Sequence, residues 1–352
     1  MTVPGQRSGL DLVPVTTGDK ATKKQYTSDQ EVRWCPGCGD YAILAAVQSF
    51  LPDLGLKREN IVCVSGIGCA ARFPYYLNTY GMHSIHGRAP AIATGLATAR
   101  PDLSVWVIGG DGDFMSIGGN HLIHALRRNV NIKLLLFNNR IYGLTKGQYS
   151  PTSEVGKLTK STPFGSVDHP FNPVSLALGS ESTFVARTID SDRKHLTAVL
   201  RAAAEHRGAA FVEILQNCDI FNDGAFDVLK NPETRDTAVV RLEHGKAITF
   251  GANGEKGVRL TGRGGLEVVE TSKVRPDTLL VHDVTHTEPA LAFMLSRLGN
   301  VDDGVTPIGV FRSVQRATYD DQVNEQIERA TATGGPGDLA ALLSSGDTWR
   351  ID

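Results

Sequence analysis

The sequence predicts an α/β protein: a doubly wound, mostly parallel sheet with a C-terminal extension. Three observations predict it. Short apolar runs rich in β-branched residues, such as Val105 to Ile108, alternate with segments whose apolar residues recur at helical spacing. Two of these runs break abruptly, one into Gly109-Gly110-Asp111-Gly112-Asp113 and one into Asn138-Asn139. The alternation holds to about residue 225 and then gives way to a different texture. Strands alternating with helices pack as a parallel sheet with helices on both faces.

In chain order, residues 1–30 are polar with scattered Gly, Pro, Thr and Lys, and read as an extended arm. Trp34-Cys35-Pro36-Gly37-Cys38-Gly39-Asp40 follows, leading into a helix over 41–51 capped by Asp40. Residues 61–65 read as a strand running into Gly66-Ile67-Gly68-Cys69. His86-Gly87-Arg88-Ala89-Pro90 opens a helix over 91–99, whose small residues suit close packing. Strand 105–108, a helix with Ile117, Leu122, Ile123 and Leu126 on one face, and strand 132–137 make a βαβ unit. The polar loop 145–168 is long for a connection, which marks it as functional. Then come a short helix (172–179), a strand (183–188), a helix (192–206) and a strand (210–215) that ends at Gln216-Asn217-Cys218-Asp219.

These elements divide the chain into an arm (1–30), a main domain (31–225) and an extension (226–352). In the extension, 238–242 and 247–250 predict a hairpin, 279–284 a strand, 288–298 a helix, 307–311 a strand, 331–337 a linker and 338–343 a last helix.

Composition excludes several classes. Of 352 residues, 41% are hydrophobic and 21% charged, and the net charge is −2, so no basic stripe argues for nucleic acid. No apolar stretch is long enough to span a membrane and the first residues lack a signal-peptide core, so the expected location is the cytoplasm. Five cysteines, two of them in Cys35-x-x-Cys38, do not form a disulfide framework.

The loops carry the chemistry. Glycines after a strand let backbone N–H groups approach a diphosphate, and the helix start beyond adds partial positive charge. A hard divalent cation such as magnesium takes oxygen ligands, and Asp111, Asn139 and the backbone carbonyl of Ile141 offer three. A GDG followed about 25 residues later by NN, each after an apolar strand, resembles the diphosphate-binding pattern of thiamine-diphosphate enzymes. Cys35, Cys38, Cys69 and Cys218 lie on three loops that reach one edge of such a sheet, and four thiolates suit zinc or an iron–sulfur cluster. A neighbouring thiamine site favours the cluster, which accepts electrons one at a time as zinc cannot. Cys63, within a strand, reads as a buried free thiol.

Taken together, WCPGCGD, GIGCAARFPYY, HGRAPAIATG, GGDGD, NNRIYGLTKGQYSPT and NCDIFN resemble the β subunit of 2-oxoacid:ferredoxin oxidoreductases, and most closely the 2-oxoglutarate type. The resemblance spans roughly 30–230 and, more weakly, the C-terminal extension, and implies a thiamine-diphosphate-binding fold. It implies that Cys35, Cys38, Cys69 and Cys218 hold a 4Fe–4S cluster and that Asp111, Asn139 and the Ile141 carbonyl bind Mg²⁺. Ile67, Gly68, Cys69, Ala70, His86, Gly112, Asp113, Gly143 and Leu144 would contact thiamine diphosphate. Arg72 and Leu144 fall where the family tunes substrate choice, and Lys146 where it handles coenzyme A. Some relatives carry Lys where this chain has Arg72, and only Arg meets a carboxylate bidentately.

The implied reaction oxidises 2-oxoglutarate to succinyl-CoA and CO₂ and reduces ferredoxin. Thiamine activation needs a Glu facing the aminopyrimidine ring, and no candidate stands out in a chain with one doubly wound unit. The implied enzyme is therefore an α2β2 assembly in which an α subunit completes the site. Pyruvate or another 2-oxo acid as substrate, and a non-redox thiamine decarboxylase or synthase with a structural zinc, are the alternatives.

Overall fold

The computed structural model describes residues 8–262, 264–299 and 305–351. In chain order its strands are β1 (Ile61–Ser65), β2 (Tyr80–His83), β3 (Ser104–Gly110), β4 (Lys133–Asn138), β5 (Phe184–Ile189), β6 (Ala210–Leu215), β7 (Val239–Leu242), β8 (Thr249–Phe250), β9 (Lys256–Leu260), β10 (Leu266–Glu270) and β11 (Thr306–Ser313). Eight of them form one sheet in the order β2-β1-β3-β4-β6-β5-β11-β7. Every neighbouring pair is parallel except β11 with β5. From β1 the chain steps outward to β2 and then returns to place β3 on the other side. The winding reverses there, and the strands' carboxyl ends open the crevice in which such folds bind ligands.

Val105, Val107, Leu134 and Leu136 face one core, shared with helices Ala89–Ala99, Gly119–Arg127 and Pro173–Gly179. Trp106, Ile108, Leu135 and Phe137 face the other, with helices Asp40–Phe50 and Arg193–Glu205. Successive residues serve opposite cores, so these runs read as uniformly apolar. Ala89, Ala93 and Ala97 let their helix lie close to the sheet. The helix after Asp111 starts with a wide π-helical turn, Asp113–Ile117, before its regular part, Gly119–Arg127. Such turns widen a helix at functional sites.

Several expectations need correction. Asp40 does not cap the first helix: Gly39 holds the cap position, and Asp40 is the first helical residue, 1% exposed. Within the arm, residues 1–7 lie outside the described residues, and from residue 8 the chain docks on the domain. Val13 and Tyr26 are buried, and the Gly9 N–H donates to the Glu205 carbonyl. The hairpin over 238–250 does not form. β7 pairs with β11, more than sixty residues later, and joins the main sheet, whereas β8 pairs with β9. The actual hairpin is β9–β10, in the Gly-rich stretch. Residues 279–284 make one isolated bridge, Val281 with Ala247. The expected linker begins as the last turn of helix Tyr319–Gly334, which stops at Gly335, φ 75°. Among the described residues, no helix is long and apolar enough to cross a membrane.

Candidate active site

The site lies at the carboxyl ends of β1, β3, β4 and β6. Asp111, the residue after β3, is 2% exposed. Its Oδ2 accepts hydrogen bonds from Ser150 Oγ and from Thr152 Oγ1, the latter at 2.5 Å. Burial raises its pKa above the usual carboxylate range, and the two hydroxyls oppose that shift. A buried carboxylate with hydroxyl partners and no cation among the described residues suits a divalent metal. Thr152 Oγ1 also lies 2.8 Å from Asn138 Oδ1, so its one proton is shared between the carboxylate and the amide oxygen. From there the network continues through Asn138 Nδ2 to Glu213 Oε1 (2.7 Å), and Glu213 Oε2 accepts from Arg187 Nε (2.6 Å). The carboxylate is thus anchored to a buried ion pair across β4, β6 and β5. After β4, Asn139 Oδ1 accepts the Ile141 N–H at 3.2 Å, and Arg140 between them has φ 56°. This tight turn carries Asn139 and Ile141 at the mouth of the same crevice.

Asp113 faces inward. Its Oδ1 accepts from Gly87 N (2.7 Å), Ile67 N (3.2 Å) and His86 Nδ1 (2.5 Å), while its Oδ2 is buried without a partner. Burial raises its pKa as well. One carboxylate therefore clamps the Ile67 loop to the His86 loop. In the first of these, Gly68 has φ 134°, a conformation that favours glycine.

All five cysteines are free thiols. The loop holding Cys35 and Cys38 is tied to the other two cysteine loops. Trp34 Nε1 donates to the Cys69 carbonyl at 2.7 Å, and the Gly39 N–H donates to the Asn217 carbonyl at 3.1 Å. A Cβ placed on Gly143 would stand 3.6 Å from Cys69 Sγ and 3.7 Å from Cys218 Sγ, so these two sulfurs flank one backbone position. Burial, then the nearby Asp40 and neighbouring thiols, raise the pKa of Cys38 and bring Cys69 to about 12. Burial also raises Cys218. Crowded, desolvated thiols give up their protons when a metal arrives. Among the described residues, no three His, Cys, Asp or Glu side chains converge closely enough to hold a single ion. Cys63 is buried inside β1.

A cavity of about 360 Å³ opens beside these loops, lined by Ile67, Gly68, Arg72, His83, Leu144 and Arg33 among others. The Arg72 guanidinium makes no hydrogen bond or ion pair with the described residues. Lys146 is exposed with φ 77°, on the rim beyond Leu144. The fold thus gathers Ile67, Gly68, Arg72 and Leu144 around one cavity and sets Cys69 and Cys218 beside Gly143, while Asp111 packs against Ser150 and Thr152. It leaves Lys146 outside. Sequence reasoning missed Ser150 and Thr152. Both stand in the NNRIYGLTKGQYSPT motif, but Ser and Thr are common in any loop, so neither was given a role.

The family described as "Thiamine pyrophosphate enzyme, C-terminal TPP binding domain" matches residues 65–214. A 2-oxoglutarate oxidoreductase subunit KorB from Mycobacterium tuberculosis is 64% identical over 341 residues, covering 96% of this chain and 91% of that protein. This chain belongs to the 2-oxoacid:ferredoxin oxidoreductase β-subunit family. A member from Sulfolobus sp, a 2-oxoacid:ferredoxin oxidoreductase subunit beta, is 46% identical over 54% of this chain and 63% of its own length. A solved member, a 2-oxoglutarate:ferredoxin oxidoreductase from Magnetococcus marinus with 2-oxoglutarate, coenzyme A and succinyl-CoA bound, superposes with a TM-score of 0.74. It is 32% identical, over 95% of this chain and 99% of that one. The thiamine diphosphate-binding domain of this β subunit, 65–214, holds Cys69, Asp111 and Asn139 but not Cys35, Cys38 or Cys218.

Proposed function

We propose that this chain is the β subunit of a cytoplasmic α2β2 2-oxoglutarate:ferredoxin oxidoreductase. The reaction joins 2-oxoglutarate and coenzyme A to give succinyl-CoA, CO₂ and one proton, while two ferredoxins each take one electron. The observation that carries this reading is Gly143. Its backbone lies against Cys69 and Cys218 on one side, and the next residue, Leu144, lines the Arg72 cavity on the other. Carbon chemistry and one-electron acceptance are separated by about one residue.

Thiamine diphosphate, when bound, supplies the electron sink for decarboxylation, and a 4Fe–4S cluster on Cys35, Cys38, Cys69 and Cys218 passes electrons singly. Asp111, Asn139 and the Ile141 carbonyl would hold Mg²⁺, whose charge would offset that of the diphosphate. The loops carrying Ile67, Gly68, Cys69, Ala70, His86, Gly112, Asp113, Gly143 and Leu144 orient the cofactor. Arg72 receives the distal carboxylate of 2-oxoglutarate, and Lys146, exposed on the rim, meets coenzyme A. An α subunit supplies the activating Glu and covers an apolar rim that includes Ile85, Leu158, Phe164 and Val167, all more than half exposed.

Anaerobic purification tests the metal half of this reading. The protein should be brown, carry about four iron atoms per chain, and bind thiamine diphosphate only with Mg²⁺. A colourless protein containing zinc would support the non-redox alternative.

A further inference from the structure

We infer that Gln216 sets the reduction potential of the cluster by donating its side-chain N–H to Cys38 Sγ. The inference rests on the iron–sulfur reading above. Gln216 follows β6, and its backbone N–H is held by the Asn138 carbonyl at 2.9 Å. The residue is 1% exposed. Its Nε2 lies 3.3 Å from Cys38 Sγ and also donates to the Asn217 carbonyl at 2.5 Å. Its Oε1 is buried without a partner.

Those neighbours fix which end of the amide faces the sulfur. A flipped amide would press its oxygen against a sulfur and a carbonyl oxygen, both acceptors, so the N–H end faces them. The unpartnered Oε1 shows that the side chain is poorly served as packing. Room for it is built in. A Cβ on Gly39, next to Cys38, would come within 2.9 Å of Gln216 Cγ and 2.2 Å of Asp190 Oδ2. Glycine there lets the amide reach the sulfur.

Reduction adds negative charge to a cluster and its thiolates. A donor aimed at a ligand sulfur stabilises the more negative state and raises the potential. Burial strengthens the effect, because water does not screen it. The backbone N–H groups of Ile220 and Phe221 oppose the burial-driven rise in the pKa of Cys218, and that of Asp40 does so at Cys38. Gln216 adds a side-chain donor to this set, and a side chain can be replaced without breaking the loop. Its N–H favours accepting electrons from the thiamine side over releasing them to ferredoxin.

The test is an EPR-monitored redox titration of the full chain, purified anaerobically, as wild type, Gln216→Leu and Gln216→Glu. Iron per chain should stay at the wild-type level. The one-electron equilibrium should move about tenfold or more towards the oxidised form, a midpoint lower by ~59 mV or more. Gln216→Glu preserves side-chain length and serves as the second variant, with the same direction of shift. Intact iron with an unchanged midpoint in both variants would overturn the inference. So would loss of iron in both with thiamine diphosphate binding retained, since Gln216 would then merely support the ligand loop. An iron-free wild type would instead refute the cluster reading itself.

Discussion

Replacing Thr152 by Val removes one hydroxyl and keeps the volume. In the fold that hydroxyl faces Asp111 Oδ2 at 2.5 Å and Asn138 Oδ1 at 2.8 Å, in a site 3% exposed. The variant leaves Asp111 with Ser150 as its remaining hydroxyl partner and cuts its link to the Asn138–Glu213–Arg187 network. A hydrogen bond to a charged group contributes about 1.5–3 kcal/mol. If Asp111 holds Mg²⁺ on the diphosphate, that energy sits in the bound state, where the carboxylate is ionised and fixed. The affinity for thiamine diphosphate with Mg²⁺ should then fall about 10- to 100-fold, the range usual when a partner of a metal ligand is lost. Titration calorimetry with the cofactor at saturating Mg²⁺ measures it, and iron content checks that the cysteine loops survive. Unchanged affinity would refute the view that Thr152 orients the metal-binding carboxylate. Asp111→Ala should abolish Mg²⁺-dependent binding altogether.

Arg72→Ala should lower kcat/KM for 2-oxoglutarate by roughly 30-fold to several thousand-fold, because an unpaired buried carboxylate costs on the order of 2–5 kcal/mol. Pyruvate turnover should change far less, and an equal loss for both acids would remove Arg72 from substrate recognition. Cys218→Ala should degrade the cluster while Cys63→Ala keeps it, as read by iron content and by EPR of the reduced protein; full iron in Cys218→Ala would contradict the four-ligand set. Burial holds His206 neutral, with its pKa lowered from 6.5 to about 3, so as pH falls from 6.5 the unfolded chain takes this proton first and the fold loses stability. The stability of His206→Gln relative to wild type should therefore improve between pH 6.5 and 4 in urea titrations, a comparison that isolates His206 from buried carboxylates of opposite sign; a pH-independent difference would contradict it.

The main sheet was legible because its strands from β1 to β6, apart from the exposed β2, are short runs dominated by apolar residues, and its loops carry turn residues. β2 was missed for that reason: Tyr80–His83 is exposed along its whole length, so no apolar pattern marks it. The extension misled because two short runs flanking a turn show that strands exist but not which strand each one joins. β7 finds β11 across a long insertion, which local spacing cannot disclose. The site divided in the same way. Asp111 and Asn139, each at a strand end, and the paired Cys35 and Cys38 stood out in the sequence because their residue types are chemically specific. Ser150, Thr152 and Gln216 did not, because a hydroxyl or an amide gains its meaning only from what the fold sets beside it. Asp113 was found in sequence, yet its inward clamp on Ile67, Gly87 and His86 depends on three backbone paths meeting.

On the proposed function, this chain forms half of a 2-oxoglutarate-oxidising site. Coenzyme A-dependent ferredoxin reduction should be measured under anaerobic conditions with 2-oxoglutarate, thiamine diphosphate and Mg²⁺, with and without the α subunit. No turnover by this chain alone, and succinyl-CoA formed together with two reduced ferredoxins once the α subunit is added, is the predicted result. Full turnover by the isolated chain, or no 2-oxoglutarate oxidation by the complete complex with cluster and cofactor in place, would contradict the account.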